Sequence, residues 1–315
     1  MIVLWGVSRD RPLRAVLKEL QLANRDVVLI DQTDVLTTEV DLTVRDGDVN
    51  GSVSTAGTVV DLARVTALYA RPYDWRRVCI AKGIAAGSDS WDHAQRVEES
   101  LSAWWFIARG TVVNPPGAMA LNGSKPLQSD HIRRAGFAVP ETLVTTTVKD
   151  AEVFWAEHRD VIYKSVSSVR SRVARLTERD RNRLADVSSC PTQFQRYVQG
   201  TDVRVHVVGD EVFACEILTD ADDYRYTSDE GQSPHIRSCT LPTDIRDRCR
   251  SMASRMGLCV AGIDLRRGPD GGWVCFEVNP SPGFTFYESA TGQPIAAAVA
   301  RLLGQGQPAV PSIAE

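Results

Sequence analysis

The sequence predicts an α/β protein whose first part interleaves strands with helices and whose last part is rich in strands. Three observations predict it. Over the first hundred or so residues, short apolar runs of strand length alternate with helical stretches. Asn114-Pro115-Pro116-Gly117 then breaks the pattern. From Phe194 onward the chain reads as successive strands, the last two apolar runs flanking Asp270-Gly271. A length of 315 residues and an apolar content of 43% argue for about two domains with real cores.

Ile2 to Trp5 reads as a short buried strand, Arg11 to Leu22 as a helix and Asp26 to Ile30 as a second strand. A polar hairpin follows, with Asp46-Gly47 and Asn50-Gly51 as turn signals. Thr66 to Ala70 is a strand ending at Arg71-Pro72. Trp91 to Arg109 is a helix whose apolar stripe runs through Val97, Leu101, Trp104, Trp105 and Ala108, which assigns both tryptophans to a core. Beyond the Asn114 break come a helix from about Ser124 to Ala135, a strand at Thr142 to Thr145, a helix near Asp150 to His158 and a strand at Val161 to Lys164. Strands at Phe194 to Val198, Val203 to Val208 and Val212 to Ile217 precede a helix near Asp244 to Met256. The tail after Gly304 is rich in Gly, Gln and Pro and is expected to fray.

Residues 259–279, CVAGIDLRRGPDGGWVCFEVN, carry the strongest chemical signal. With Asp270-Gly271 at the centre of a two-residue turn, opposed residues have numbers summing to 541, so Asp264 faces Glu277 on one side of the sheet. Asn279 shares that side because side chains alternate with period two. Two apposed carboxylates repel unless a cation or a proton lies between them. All-oxygen donors select Mg²⁺, which completes its shell from water and phosphate oxygens. An edge hairpin with solvated acids is the other reading of the same residues.

Composition excludes several classes. A net charge of −4 gives no field for nucleic acid or an anionic membrane. The start, MIVLWGVSRD, lacks the basic leader and apolar length of a signal peptide, and no run reaches the roughly 18 apolar residues of a membrane span. Seven cysteines, odd in number and without a Cys-x-x-Cys pair, point to reduced thiols in a cytoplasmic protein. The five histidines show no metal-ligand spacing, and His206 reads as an ordinary strand histidine. Gly6 to Ser8 lacks a dinucleotide fingerprint. No Ser-His-Asp or Cys-His constellation is evident. Among the few lysines, Lys164 ends the strand VIYK. Lys125 opens a helix, where the dipole disfavours a cation and an anionic partner would explain it.

FQRYVQGTDVRVHVVGDEVFACEI, residues 194–217, matches the adenine hinge of the ATP-grasp superfamily. Around it, Lys125, Lys164, Gln195 to Val198, Asp202, Arg204, Arg225, Asp264, Glu277 and Asn279 occur in the order of an ATP-grasp ligase, and the chain resembles α-L-glutamate ligases. The resemblance covers roughly residues 115–305. The first part, with LYARPYDW at 68–75, resembles the pre-ATP-grasp domain of microviridin-type ligases of ribosomal peptides (graspetide ligases). It implies an α/β (α+β) ATP-grasp fold in four parts. These are a pre-ATP-grasp N-terminal domain, 1–115; a central subdomain with the phosphate-binding lysines and a lid, 116–193; a C-terminal subdomain with hinge and metal site, 194–305; and a flexible tail, 306–315.

By resemblance, Lys125 and Lys164 contact the α- and β-phosphates of ATP. Gln195, Arg196 and the Tyr197–Val198 backbone read the adenine, and Asp202 holds the ribose. Asp264, Glu277 and Asn279 hold Mg²⁺, two ions by family habit, with Mn²⁺ as a substitute. The segment ADDYRYT resembles the phosphate- and acyl-binding segment of glutamate ligases and puts Arg225 beside the transferring phosphoryl group, with Arg204 second. The phosphate loop after Lys164, SVSSVRSRVARL, contains no glycine and three arginines, Arg170, Arg172 and Arg175, and is expected to cover nucleotide as a lid. The segment NPSPGFTFYE after the metal strand is closer to the glutamate-ligase form.

The function implied is a carboxylate–amine ligase, or one using a hydroxyl or thiol, that works through an acyl phosphate and releases ADP and phosphate. One alternative is a maturase forming side-chain ester or amide links in a ribosomal precursor peptide. Another is a nucleotide-binding regulatory protein without turnover. The expected partners are small-molecule or peptide carboxylates and nucleophiles, neither nucleic acid nor membrane, and a homo-oligomer stays open.

Overall fold

The computed structural model describes residues 1–45, 48–165, 173–219 and 234–305. The tail expected to fray after Gly304 lies almost wholly outside them. In chain order β1 (Ile2–Gly6), α1 (Arg11–Leu22) and β2 (Val27–Asp31) lead into a meander of β3 (Glu39–Arg45), β4 (Asp48–Thr55) and β5 (Thr58–Asp61). Then come β6 (Ala67–Arg71), α2 (Trp75–Ala81), α3 (Asp89–Ile107) and β7 (Thr111–Val113). The middle holds α4 (Pro116–Ala120), α5 (Lys125–Arg134), β8 (Thr142–Thr145), α6 (Val148–His158), β9 (Val161–Ser165), β10 (Ala174–Arg175) and β11 (Thr192–Arg196). The last part is β12 (Thr201–Val208), β13 (Glu211–Leu218), β14 (His235–Ser238), α7 (Thr243–Arg255), β15 (Val260–Arg267), β16 (Trp273–Asn279), α8 (Thr285–Thr291) and α9 (Ile295–Gly304).

The first sheet is parallel, ordered β2-β1-β6-β7, and its strands are short apolar runs because helices cover both faces. Leu4, Tyr69 and Val113 face α1 on one side. Trp5, Leu68 and Val112 face α3 on the other, where Val97, Leu101 and Trp104 are buried as the helical stripe predicts. Trp105 sits edge-on to Trp5 at 5.8 Å between centroids and donates its indole N–H to the Asn114 carbonyl. One turn signal reads differently in three dimensions. Asn50-Gly51 lies inside β4, paired with Thr43 and Leu42, and a Cβ at Gly51 would collide with the Asp41 carbonyl. The glycine answers a close approach of two strands, not a reversal. Asp46-Gly47 lies outside the described residues.

The second sheet, β10-β9-β11-β8, packs one face on α6 through Val161, Phe194 and Ala151. The third, β14-β13-β12-β15-β16, is antiparallel. Alternation along β12 sorts its residues cleanly. Val203, Val205 and Val207 enter a core with Ile245, Cys249 and Met252 of α7, while Asp202, Arg204 and His206 face the other way. The last helix, α9, returns to the first sheet: Ile295, Val299 and Leu303 share one apolar cluster with Leu13, Val16 and Leu20 of α1. None of the seven cysteines is in a disulfide, and burial pushes the Cys215 and Cys249 thiols up to about 12. Among the described residues no helix is long and apolar enough to cross a membrane.

Glu98 is a carboxylate buried in α3. Its Oε1 accepts from the Gln32 side-chain amide at 2.8 Å, and that amide is also held by the Tyr73 backbone. Burial outweighs the amide's pull and raises the carboxyl to about 7. A raised pKa means the folded state keeps its proton where the unfolded chain has lost it. The contribution is fully present below about 4.5 and is lost as pH rises toward 7. Glu98→Gln keeps the acceptor oxygen and removes the titration. It is expected to raise stability at pH 8 by an order of 1–3 kcal/mol and to flatten the stability curve between those limits. Denaturant melts at pH 5 and pH 8 measure it; an unchanged difference between the two would refute the assignment.

Candidate active site

A cleft lies between the second and third sheets. It is lined by Ile162 and Lys164 of β9, Gln195 of β11, Tyr197, Asp202 of β12, Asp264 and Arg266 of β15, and Phe276 and Glu277 of β16. Three strands bearing acids and one bearing a lysine therefore line it.

Asp264 is paired directly with Glu277, and Gly262 with Asn279, so the three oxygen donors lie on the predicted side. The register arises differently from the expectation. The loop is 268–272, closed by Gly268 N–H to the Gly272 carbonyl at 2.8 Å, and not a two-residue turn. Near the loop, partners sum to 540, as in Leu265 with Cys275. A bulge between Asp264 and Leu265 moves the sum to 541. Phe276 is the extra residue, and its ring lies 5.1 Å from the Arg266 guanidinium.

Side-chain cations hold both carboxylates. Lys125 Nζ is 2.8 Å from Glu277 Oε1, and Arg204 Nη1 donates to Asp264 Oδ1 at 2.6 Å. Burial pushes the Glu277 carboxyl up, but Lys125, Lys164 and Arg204 together outweigh it, and the net shift is downward. Protein cations therefore favour the ionised form of Glu277. Lys125 owes its place to Gln128, one turn further along α5 and fully buried. The Gln128 amide donates to the Val278 carbonyl at 2.8 Å and accepts from the Val278 N–H at 3.1 Å, which straps α5 to β16. Nothing in the sequence around Gln128 singles it out.

At the other end of the cleft, Arg266 binds Asp202 through two bonds of 2.7 and 2.9 Å, and its Nη1 donates to the Val198 carbonyl at 2.7 Å. Two guanidinium groups lie over the Tyr197 ring, Arg175 at 3.8 Å and Arg266 at 5.6 Å. Gln195 is buried and donates to Thr142 Oγ1 at 2.9 Å, and the Tyr197 N–H donates to the Asp160 carbonyl. Arg196 stands apart from its neighbours. Strand alternation turns it to the outer face, where it is exposed and lies 3.7 Å from Glu141, so its side chain is no part of the cleft. Arg175 pairs within β10 and does not belong to a loop. Arg225 and residues 166–172 of the expected lid, with Arg170 and Arg172, lie outside the described residues.

The donor set suits a magnesium ion that shares its shell. Two carboxylates and an amide are all hard oxygen donors, and among the described residues no group of three or more His, Cys, Asp or Glu converges. Such a donor set would supply part of a coordination sphere and leave the rest to water and phosphate, which is how Mg²⁺ is usually bound.

Residues 121–303 match the model of the RimK-like ATP-grasp domain, which is more than half of the chain. The chain belongs to the RimK-like ATP-grasp family. As an ATP-grasp protein it has relatives of two kinds. A probable alpha-L-glutamate ligase of Cellvibrio japonicus (strain Ueda107) is 41% identical over 105 residues, 33% of this chain and 34% of that one. Beta-citrylglutamate synthase B of Danio rerio is 30% identical over 148 residues, 44% of this chain and 36% of the relative. The chain thus spans about a third of the length of these curated relatives.

Solved structures match nearly end to end. A Chryseobacterium gregarium RiPP-associated ATP-grasp ligase, in complex with ADP and a leader and core peptide, has a TM-score of 0.81 at 20% identity. It covers 99% of this chain and 98% of its own. The ATP-grasp ligase PsnB complexed with minimal precursor has a TM-score of 0.78 at 27% identity, covering 97% and 98%. These ATP-grasp structures include the first sheet, so the whole chain, not only residues 121–303, has the ATP-grasp architecture.

Proposed function

We propose that the protein is an ATP- and magnesium-dependent ligase that converts a carboxylate to an acyl phosphate and passes it to a nucleophile. The observation that carries this reading is the opposed pair Asp264 and Glu277, each held by a protein cation, at one end of a cleft whose other end is tied by Asp202 and Arg266. Asp264, Glu277 and Asn279 would hold magnesium, which supplies charge neutralisation at the phosphates. Lys164, on the opposite wall, adds a point charge for phosphate oxygens. Lys125 can exchange Glu277 for a phosphate oxygen without leaving the site. Gln195, Tyr197 and the Val198 backbone would read the adenine, and Asp202, oriented by Arg266, would accept from the ribose. Neutralising charge on the transferred phosphoryl group is what such a site does best. Arg225 takes that role beside Arg204.

The acceptor is proposed to be a peptide. Correspondence with PsnB across 97% of this chain supports it, because the likeness includes the first sheet and not only the nucleotide-binding part. The seven unpaired cysteines fit a cytoplasmic site of action. The test is ADP release at saturating Mg·ATP against a panel of amino acids, dipeptides and acidic precursor-like peptides, with mass spectrometry of each product. Stimulation by a peptide, with loss of water from it, is the expected result. Stimulation by free amino acids alone would move the enzyme to the small-molecule class. ADP release by none of them would overturn the ligase reading.

A further inference from the structure

Arg204 sits in a cradle that its sequence does not announce. Only 6% of its side chain is exposed. Nη1 donates to Asp264 Oδ1 at 2.6 Å, and Nε donates to His206 Nε2 at 3.3 Å. Under Nη2 lies Gly262, where a Cβ would collide with the guanidinium and come within 2.7 Å of Pro282 Cβ. The Tyr287 ring closes the site, 5.1 Å from the His206 ring and 5.5 Å from the Arg204 carbon.

The bond at Nη1 ties one corner of the guanidinium to Asp264. A second bond, at Nε, fixes its plane. We infer that His206 is a positioning residue, a neutral imidazole whose unprotonated Nε2 accepts from Arg204 Nε and so fixes the guanidinium against the metal-binding Asp264. Nε is a donor only, so the ring must present a lone pair to it and carry its proton on Nδ1. Burial, and after it the Arg204 charge, lower the His206 pKa well below its ordinary value, which keeps the ring neutral at pH 7. The ring takes no part in proton transfer. Gly262 provides the space and His206 the direction.

The catalytic consequence rests on the ligase reading; the tautomer does not. Nitrogen NMR of protein labelled at histidine is expected to show, at pH 7, one buried ring with a bare Nε2 that disappears in His206→Gln. A proton on that Nε2 would overturn the inference whether or not the protein turns over ATP. In the activity arm, His206→Leu removes the acceptor and is expected to lower the turnover of ADP release by roughly 10–100-fold with little change in KM for ATP, as loss of an outer-shell partner does. His206→Gln offers an amide oxygen and should restore turnover to within about threefold of wild type. Equal loss in both variants, or loss in neither, would assign His206 to packing alone. Should His206→Leu fail to fold, the tautomer and the glutamine variant still decide. Wild-type protein without ADP release would sink the ligase reading and leave the cradle to the spectrum.

Discussion

Glu277→Gln is expected to abolish ligase turnover, by roughly 10³-fold or more, in a protein that still folds. The carboxylate has two partners in the proposed cycle, the magnesium ion and Lys125, and an amide serves neither as a charge. A neutral amide at this position leaves Asp264 as the one carboxylate beside Asn279 to hold a divalent cation, and Asp264 already shares its charge with Arg204. The structural cost is limited because the glutamine keeps an oxygen that can accept from the Lys125 ammonium. The measurement is ADP release at saturating Mg·ATP beside a thermal melt. A folded variant within tenfold of wild type would remove Glu277 from the metal site.

Asn114→Ala is expected to be the most destabilising of the substitutions considered, by about 3 kcal/mol or more. The Asn114 amide donates to the carbonyls of Val260 and Pro280, at 2.7 and 2.6 Å. Its Oδ1 accepts from the N–H groups of Cys259 and Val260, at 2.8 and 3.1 Å. Asn114 is 2% exposed, so truncation leaves backbone groups of both strands at the open end of the β15–β16 hairpin without water to replace it. The melting temperature should fall by roughly 5–10 °C. A fall of less than about 2 °C would show that the hairpin is held by its strands alone.

The legible and illegible parts of this molecule divide along one physical line. Period-two alternation and a local turn are visible in sequence, so Asp264, Glu277 and Asn279 could be placed on one face. The register survived a wrong turn because the longer loop and the Phe276 bulge each shift the pairing by one, in opposite senses. The same alternation, applied to β11, separates Arg196 from Gln195; reading the hinge as a continuous run hid it. Partners far apart in the chain leave no such trace. Asp202 and Arg266 meet because β12 and β15 are neighbours, and no local pattern encodes that pairing. Asn114-Pro115 has the composition of a boundary, yet the asparagine is a stitch across about 145 residues. Gln128 and Gly262 likewise act through contacts that only the assembled sheet creates.

The return of α9 to the first sheet has a consequence for how the protein is made. Leu13, Val16 and Leu20 of α1 and Ile295, Val299 and Leu303 of α9 are one core, although nearly the whole chain separates them. During synthesis the first sheet and α1 emerge early, but the apolar surface that they share with α9 stays uncovered until the last helix has left the ribosome, which at ordinary elongation rates is a wait of tens of seconds. A nascent chain in that state invites chaperones and neighbouring chains alike. It also follows that the N-terminal sheet is a poor module to transplant. Cut away from α9, residues 1–115 would carry that face into water, and a hybrid enzyme that borrows them must borrow the final helix as well.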